Sequence, residues 1–332
     1  MNKITFIKFI SAIIFFVILS SCTDDTKDLY QKITFTQKAS FPGGVRASSV
    51  GFSINGKGYV ALGRNQVNYG SVNEVWEYNP ESDEWNRKND FPGTGRVKAT
   101  CAVVDGKAYV GLGFDPDKGI FNSEAYLNDW WMYDPISDTW TQKATFYGFG
   151  RISNFSFVYD GNIYIGSGYD GLSFTNEFYS YNPLSNAWIK LSELPGDARS
   201  GPVACTDGER IFFGTGFDVF DINDWWEYLP DDDEWEKRKS MPDTGRENAV
   251  ALTINNRFFV ATGRNFGGEY TGGGVKSDIL EYNPDQNKWY KRGNIPTGGR
   301  ENAVSFVINN IAYIGLGEND TILMDDFWSF EP

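Results

Sequence analysis

From residue 33 onward the chain alternates apolar and polar positions with a period of two, in short runs separated by Gly, Asn and Asp. Such alternation belongs to strands, whose successive side chains point to opposite faces. The runs are grouped into a larger unit that recurs. The first copy reads VRASSVGFSINGKGYVALG and then NEVWEYNPESDEW; the second reads GRVKATCAVVDGKAYVGLG and then NDWWMYDPISDTW. Each unit opens on an arginine and an apolar run, turns at an Asn-Gly, Asp-Gly or Asn-Asn pair, and returns through a second apolar run ending in Gly. A variable loop follows, then an acidic residue, an aromatic cluster and a Tyr-x-Pro or Phe-x-Pro turn. The Asx-Gly pairs sit where a two-residue hairpin requires positive φ. The leading arginines are Arg46, Arg96, Arg151, Arg199, Arg246 and Arg300, 47 to 55 residues apart. Four strands in about fifty residues make one propeller blade. The pattern therefore predicts an all-β chain, a six-bladed β-propeller over residues 33–332.

The sixth unit reaches Pro332 before supplying an outer strand. Its counterpart lies at the other end: ITFTQKASFPGGVR, Ile33 to Arg46, matches DTWTQKATFYGFGR, Asp138 to Arg151, with Phe35 in the place of Trp140. The outer-strand aromatics are then Phe35, Trp85, Trp140, Trp188, Trp235 and Trp289. The N-terminal strand is expected to complete the last blade and close the ring, which hides the edges of an open sheet.

These residues carry a resemblance that covers nearly the whole chain after residue 32. The unit resembles the Kelch repeat in its hydrophobic strand and glycine, its polar residue before an aromatic, and its Trp about six residues past Tyr-x-Pro. It departs at the double glycine, which is here a small residue, a variable one and Gly, as in ALG, GSG and GTG. WD-type propellers fit worse, because their His and Trp-Asp pairs are missing. The resemblance implies four-stranded Kelch-like blades and places the chain beside two enzyme families of similar architecture, N-acetylneuraminate epimerase and the central domain of galactose oxidase. The copper centre of the latter needs histidine, and this sequence has none.

Ahead of the repeats, Lys3 and Lys8 precede an apolar run from Phe9 to Leu19 that ends in LSSC. The run is short for a membrane span and is flanked like a signal peptide. Its end resembles a lipobox, which implies a signal peptide over residues 1–21, lipidation at Cys22 and an acidic tether over 22–32. The expected location is the outer membrane, on its periplasmic or cell-surface face, with a lipid anchor as the sole membrane attachment. The acidic TDDTKD after Cys22 resembles a surface-export signal of some lipoproteins and an inner-membrane retention signal of others.

Composition narrows the chemistry. A net charge of −14 argues against a nucleic-acid partner. The absence of histidine removes the commonest general base and His-containing metal sites. No metal or cofactor is expected; Asp115, Asp170 and Asp218 recur in three successive blades, but nothing makes them converge as calcium requires. Cys101 and Cys205 fall on inner strands of non-adjacent blades, so they are expected as two separate thiols.

In a propeller the loops between second and third strands share a face with the blade-to-blade connections. That face is the candidate mouth. The residue after the second-strand Gly is Arg64, Phe114, Tyr169, Phe217, Arg264 or Glu318 in blades 1 to 6, and the loops add Tyr69, Phe121, Tyr126, Phe174, Phe220 and Tyr270. With the six repeated arginines these define a pocket of guanidinium groups and aromatic rims, suited to an anionic glycan or an acidic peptide. The repeated arginines have a second reading as struts, each paired with a blade acid: Glu74, Asp129, Glu177, Asp224, Asp278 or Asp326. Arg64 and Arg264 are not repeated and stand as individual ligand contacts. Blades 5 and 6 add GREN, so Glu247 and Glu301 are either an acid–base pair or salt-bridged spacers. The function expected is a membrane-anchored module binding an envelope protein or a glycan. The alternative is an epimerase or mutarotase acting on an anionic sugar such as sialic acid.

Overall fold

The computed structural model describes residues 32–65, 70–267 and 273–332; the signal-like segment, Cys22, Tyr69 and Tyr270 lie outside them. Six four-stranded antiparallel sheets form a six-bladed β-propeller. Blade 1 runs through Val50–Ile54, Lys57–Ala61, Val75–Asn79 and Glu84–Arg87, from inner to outer strand. The inner strands of blades 2 to 6 are Thr100–Val104, Phe155–Tyr159, Val203–Thr206, Val250–Ile254 and Val304–Ile308. Thr34–Lys38 pairs with Phe327–Glu331, placing Phe35 opposite Phe330, and so supplies the outer strand of blade 6.

The alternation is read out between blades. Six apolar layers form, one at each blade–blade boundary, including the boundary of blade 6 with blade 1, where Val304, Phe306 and Tyr313 meet Val60 and Tyr78. Blades thus follow one another around the axis in chain order, and blades 2 and 5 stand opposite each other. At the far end from the mouth, Asp83, Asp138, Asn186, Asp233 and Asn287 occupy positive φ. Each accepts a hydrogen bond from its own blade's tyrosine, as Tyr78 donates to Asp83 at 2.7 Å. Four of the outer tryptophans fasten blade to blade: Trp85, Trp140, Trp188 and Trp289 donate Nε1 to a carbonyl just past the preceding blade's outer strand, at 2.7–3.4 Å.

The repeated arginines turn inward, into their own blades. All six are 0–1% exposed, and each is paired with the acid of its own blade. Arg46 reaches Glu74 at 2.7 Å, and Arg300 holds Asp326 with two bonds of 2.7 and 2.8 Å. Arg96, Arg199 and Arg246 grip Asp129, Asp224 and Asp278 in the same two-pronged way, and Arg151 donates to Glu177 at 2.6 Å. The reason lies in the backbone. The residue before the second-strand Gly is Leu62, Leu112, Ser167, Thr215, Thr262 or Leu316, and every one takes positive φ, 57–66°, without being glycine. This costs steric strain, most for β-branched threonine. Arg46, Arg96, Arg199, Arg246 and Arg300 each donate to the carbonyl of that residue, at 2.9–3.3 Å, and secure the bend. Burial alone would raise the Glu177 carboxyl, yet hydrogen bonds from Arg151 and Lys190 and their charges prevail and hold it at about 2.

The axis is a channel lined by small residues, with a cavity of 330 Å³ bounded by Gly51, Cys101, Ser156, Ala204 and Ser305. Both described cysteines are free. The Cys101 thiol faces Gly51 O at 3.4 Å and is pushed up by burial to about 12, while Cys205 packs in the layer between blades 4 and 5.

Candidate functional site

The mouth is built on a repeated kink. Two residues past each arginine, Ser48, Lys98, Ser153, Gly201, Asn248 and Asn302 take φ of 53–61°. Their backbones link around the axis: Lys98 N donates to Ser48 O, Gly201 N to Ser153 O, Asn248 N to Gly201 O, Asn302 N to Asn248 O and Ser48 N to Asn302 O, at 2.7–3.1 Å. This collar surrounds a cavity of 140 Å³ at the channel entrance. The residue between the arginine and the kink exchanges two backbone hydrogen bonds with the residue after the second-strand Gly. The pairs are Ala47–Arg64, Val97–Phe114, Ile152–Tyr169, Ser200–Phe217, Glu247–Arg264 and Glu301–Glu318, all at 2.8–3.1 Å.

Taken in ring order, these pairs divide the mouth in two. Blades 2 to 4 are apolar and aromatic, and blades 5, 6 and 1 are charged. From blade 2 to the edge of blade 5 six rings follow one another: Phe114, Tyr126, Tyr169, Phe174, Phe217 and Phe266, with successive centroids 5.1, 5.9, 5.4, 6.3 and 4.8 Å apart. The arc ends on charge, since the Arg264 guanidinium lies 6.0 Å over Phe266. Phe114 is largely covered by Ala125 and Tyr126 of its own loop; Tyr169 and Phe217 are half-buried. Phe121, Leu172 and Phe220 rise from the same loops, 74–99% exposed.

On the charged side the arginines are already engaged. Arg264 binds Glu301 and also Asp320 at 2.7 Å, and Arg64 binds Glu318. The collar asparagines complete these clamps, Asn248 donating to Glu301 at 2.9 Å and Asn302 to Glu318 at 3.0 Å. So Arg64 and Arg264 do reach the mouth, but as partners of mouth carboxylates. Glu247 differs from Glu301. It is buried with no arginine on it, and accepts a bond from Ser200 Oγ at 3.2 Å. Burial pushes its carboxyl above the ordinary range; Glu301 and Asp221 add to the push, and Lys98 and Ser200 oppose it.

Lys98, Asp221, Phe266 and Asp320 escape a search for repeated residues. Lys98 is legible only as the exception among the small and amide residues of the collar, and among the described residues it makes no ion pair. Asp115, Asp170 and Asp218 each accept backbone N–H groups of their own loops, and no cluster among the described residues could hold a metal.

This is a propeller with a two-sided mouth, a fold that hosts enzymes and binding scaffolds alike. No protein-family model matches the chain, and no curated protein does. A solved structure described as the structure of YjhT is similar over 87% of this chain and 95% of that one, with a TM-score of 0.74 and 20% identity. That likeness establishes the shared propeller architecture.

Proposed function

We propose that the chain is a binding module of the cell envelope, an outer-membrane lipoprotein held by acyl chains on Cys22, whose mouth captures a protein segment or a glycan. The observation carrying this reading is the arc of five accessible rings from Tyr126 to Phe266. Flat, half-buried rings offer contact area at little conformational cost, and they stack on sugars and on peptide side chains alike. They stand on the variable loops of a rigid scaffold, where binding residues concentrate. Peptide and glycan arrays with the full-length protein test it. Tyr169→Ala with Phe217→Ala is expected to weaken capture about tenfold while the melting temperature stays close to wild type. Capture untouched by that pair sinks the mouth as the binding surface. Incorporation of labelled palmitate, lost in Cys22→Ser, tests the anchor.

A second reading has one observation in its favour. Burial pushes the Glu247 carboxyl above the ordinary range, the direction that suits an acid–base group working near neutral pH. An epimerase or mutarotase acting on an anionic sugar such as sialic acid would use Glu247, with Lys98 facing it. Glu301, clamped by Arg264 and Asn248, would be a spacer. NMR of sialic acid anomer exchange distinguishes the cases. Acceleration lost in Glu247→Gln and kept in Glu301→Gln favours the enzyme; no acceleration by wild type removes it.

A further inference from the structure

At the seam of the two half-mouths, two carboxylates have no arginine on them. Asp221 forms an antiparallel bridge with Phe217 across its loop, and its Oδ2 accepts the N–H groups of Phe266 at 2.9 Å and Gly267 at 3.2 Å. Its Oδ1 is buried and makes no hydrogen bond. Glu247 lies near enough for the Asp221 charge to act on it, and it is bridged to Arg264, the residue stacked over Phe266. Asp221 is thus tied to the backbone of both members of the Phe217–Phe266 ring pair, and Glu247 is tied to Ser200, which bridges Phe217, and to Arg264, which lies over Phe266. Lys98 acts on Glu247 from the opposite blade and Lys276 acts on Asp221, with Asp243 as a further acid nearby. Neither lysine forms an ion pair among the described residues.

Two acids beside two ring faces are the surroundings that stabilise an organic cation, through charge-assisted hydrogen bonds and cation–π contact. The wider face agrees. Of the twelve large apolar side chains most exposed among the described residues, nine belong to mouth-face loops, and seven of these to blades 2 to 4: Ile120, Phe121, Tyr147, Phe149, Leu172, Val219 and Phe220. Such a patch is what a partner covers. Around it stand Asp117, Glu124, Asp197 and Asp218 against Lys118, on a chain of net charge −14. The field steers cations towards this face.

We propose that the mouth takes a basic, apolar polypeptide segment. One Lys or Arg side chain seats between Glu247 and Asp221 against Phe217 and Phe266, and apolar side chains run along the loops of blades 2 to 4. This rests on the binding-module reading and replaces the anionic ligand that the arginine count led one to expect, because those arginines are spent on internal carboxylates.

The experiment measures fluorescence polarisation of three labelled peptides with the full-length protein in mild detergent: alternating Leu and Lys, alternating Leu and Glu, and alternating Ser and Lys. Anionic and neutral glycans are titrated in parallel. The Leu-Lys peptide is expected to bind, the Leu-Glu peptide not to, and the Ser-Lys peptide to bind at least about tenfold more weakly. Glu247→Gln with Asp221→Asn, both isosteric, is expected to weaken Leu-Lys binding about tenfold or more. Phe121→Ser with Phe220→Ser, at exposed tips, tests the apolar contact independently of folding and is expected to weaken it too. Equal binding of Ser-Lys and Leu-Lys reduces the effect to bulk charge and overturns the proposal, as does tighter binding of Leu-Glu. Glycan capture without peptide capture overturns it while leaving the binding module standing; capture of neither removes both.

Discussion

A single arginine, repeated, acts here as a fastener for strained backbone. Arg96 is the clearest case, holding Leu112 O at 3.0 Å and Asp129 through both prongs while sitting under the Phe91 ring, 4.8 Å from its centroid. Truncating it leaves a part-buried carboxylate unpaired and a left-handed leucine unsecured. Arg96→Ala is therefore expected to cost about 3–5 kcal/mol in urea denaturation. Arg64→Ala removes only a mouth ion pair whose arginine side chain is 29% exposed, and is expected to cost about 1 kcal/mol or less. Equal costs would mean that the six repeated arginines do no more for the fold than the two at the mouth. The identity of the fastener was legible in the sequence, since an arginine and an acid recur together in every unit. Its direction was left open there, between the mouth and the acid of its own blade. The arginine opens the inner strand next to the mouth, and only the left-handed turn at residues such as Leu112 and Thr262 shows why the side chain turns inward instead.

Among the elements, the first strand has the largest consequence for its size. Thr34–Lys38 is five residues long, yet it covers the edge of Phe327–Glu331, and Ile33 ahead of it is buried in the layer between blades 5 and 6. A chain lacking residues 1–38 exposes that edge, and edges recruit strands. It is expected to melt lower and to oligomerise in size-exclusion chromatography, and a synthetic peptide spanning residues 33–40 is expected to restore the monomer. A monomer of unchanged melting temperature would show that the ring holds without closure. This element was legible in the sequence, because TFTQK repeats TWTQK of the outer strand of blade 2 in all but one residue. The loops were less readable. Phe114 and Tyr126 both looked like rim aromatics, but the loop folds Ala125 and Tyr126 over Phe114 and takes it out of reach of solvent.

For the molecule as a whole, the blade count and order followed from the marks that every unit shares, whereas the character of the mouth depends on the places where units differ. Those differences are scattered along the chain. Lys98 and Glu247 are far apart in sequence and belong to blades 2 and 5, which only the closed ring sets face to face. The division into an aromatic and a charged half emerges when residues 64, 114, 169, 217, 264 and 318 are read around a circle. Counting arginines suggested an electropositive pocket. Pairing them inside the protein turns the same residues into neutral clamps and leaves Glu247 and Asp221 to set the sign.

The register of the closing sheet places Thr34 directly opposite Glu331, as Asn79 stands opposite Glu84 across the turn of blade 1. A four-residue turn like Pro80–Asp83 can therefore join the last strand to the first, and any other such turn can be cut in its place. A circular permutant beginning at residue 185, in the corresponding turn of blade 3, is expected to fold as a monomer with a melting temperature within a few degrees of the parent. The seam of the ring is one of six equivalent turns at which the propeller can be opened.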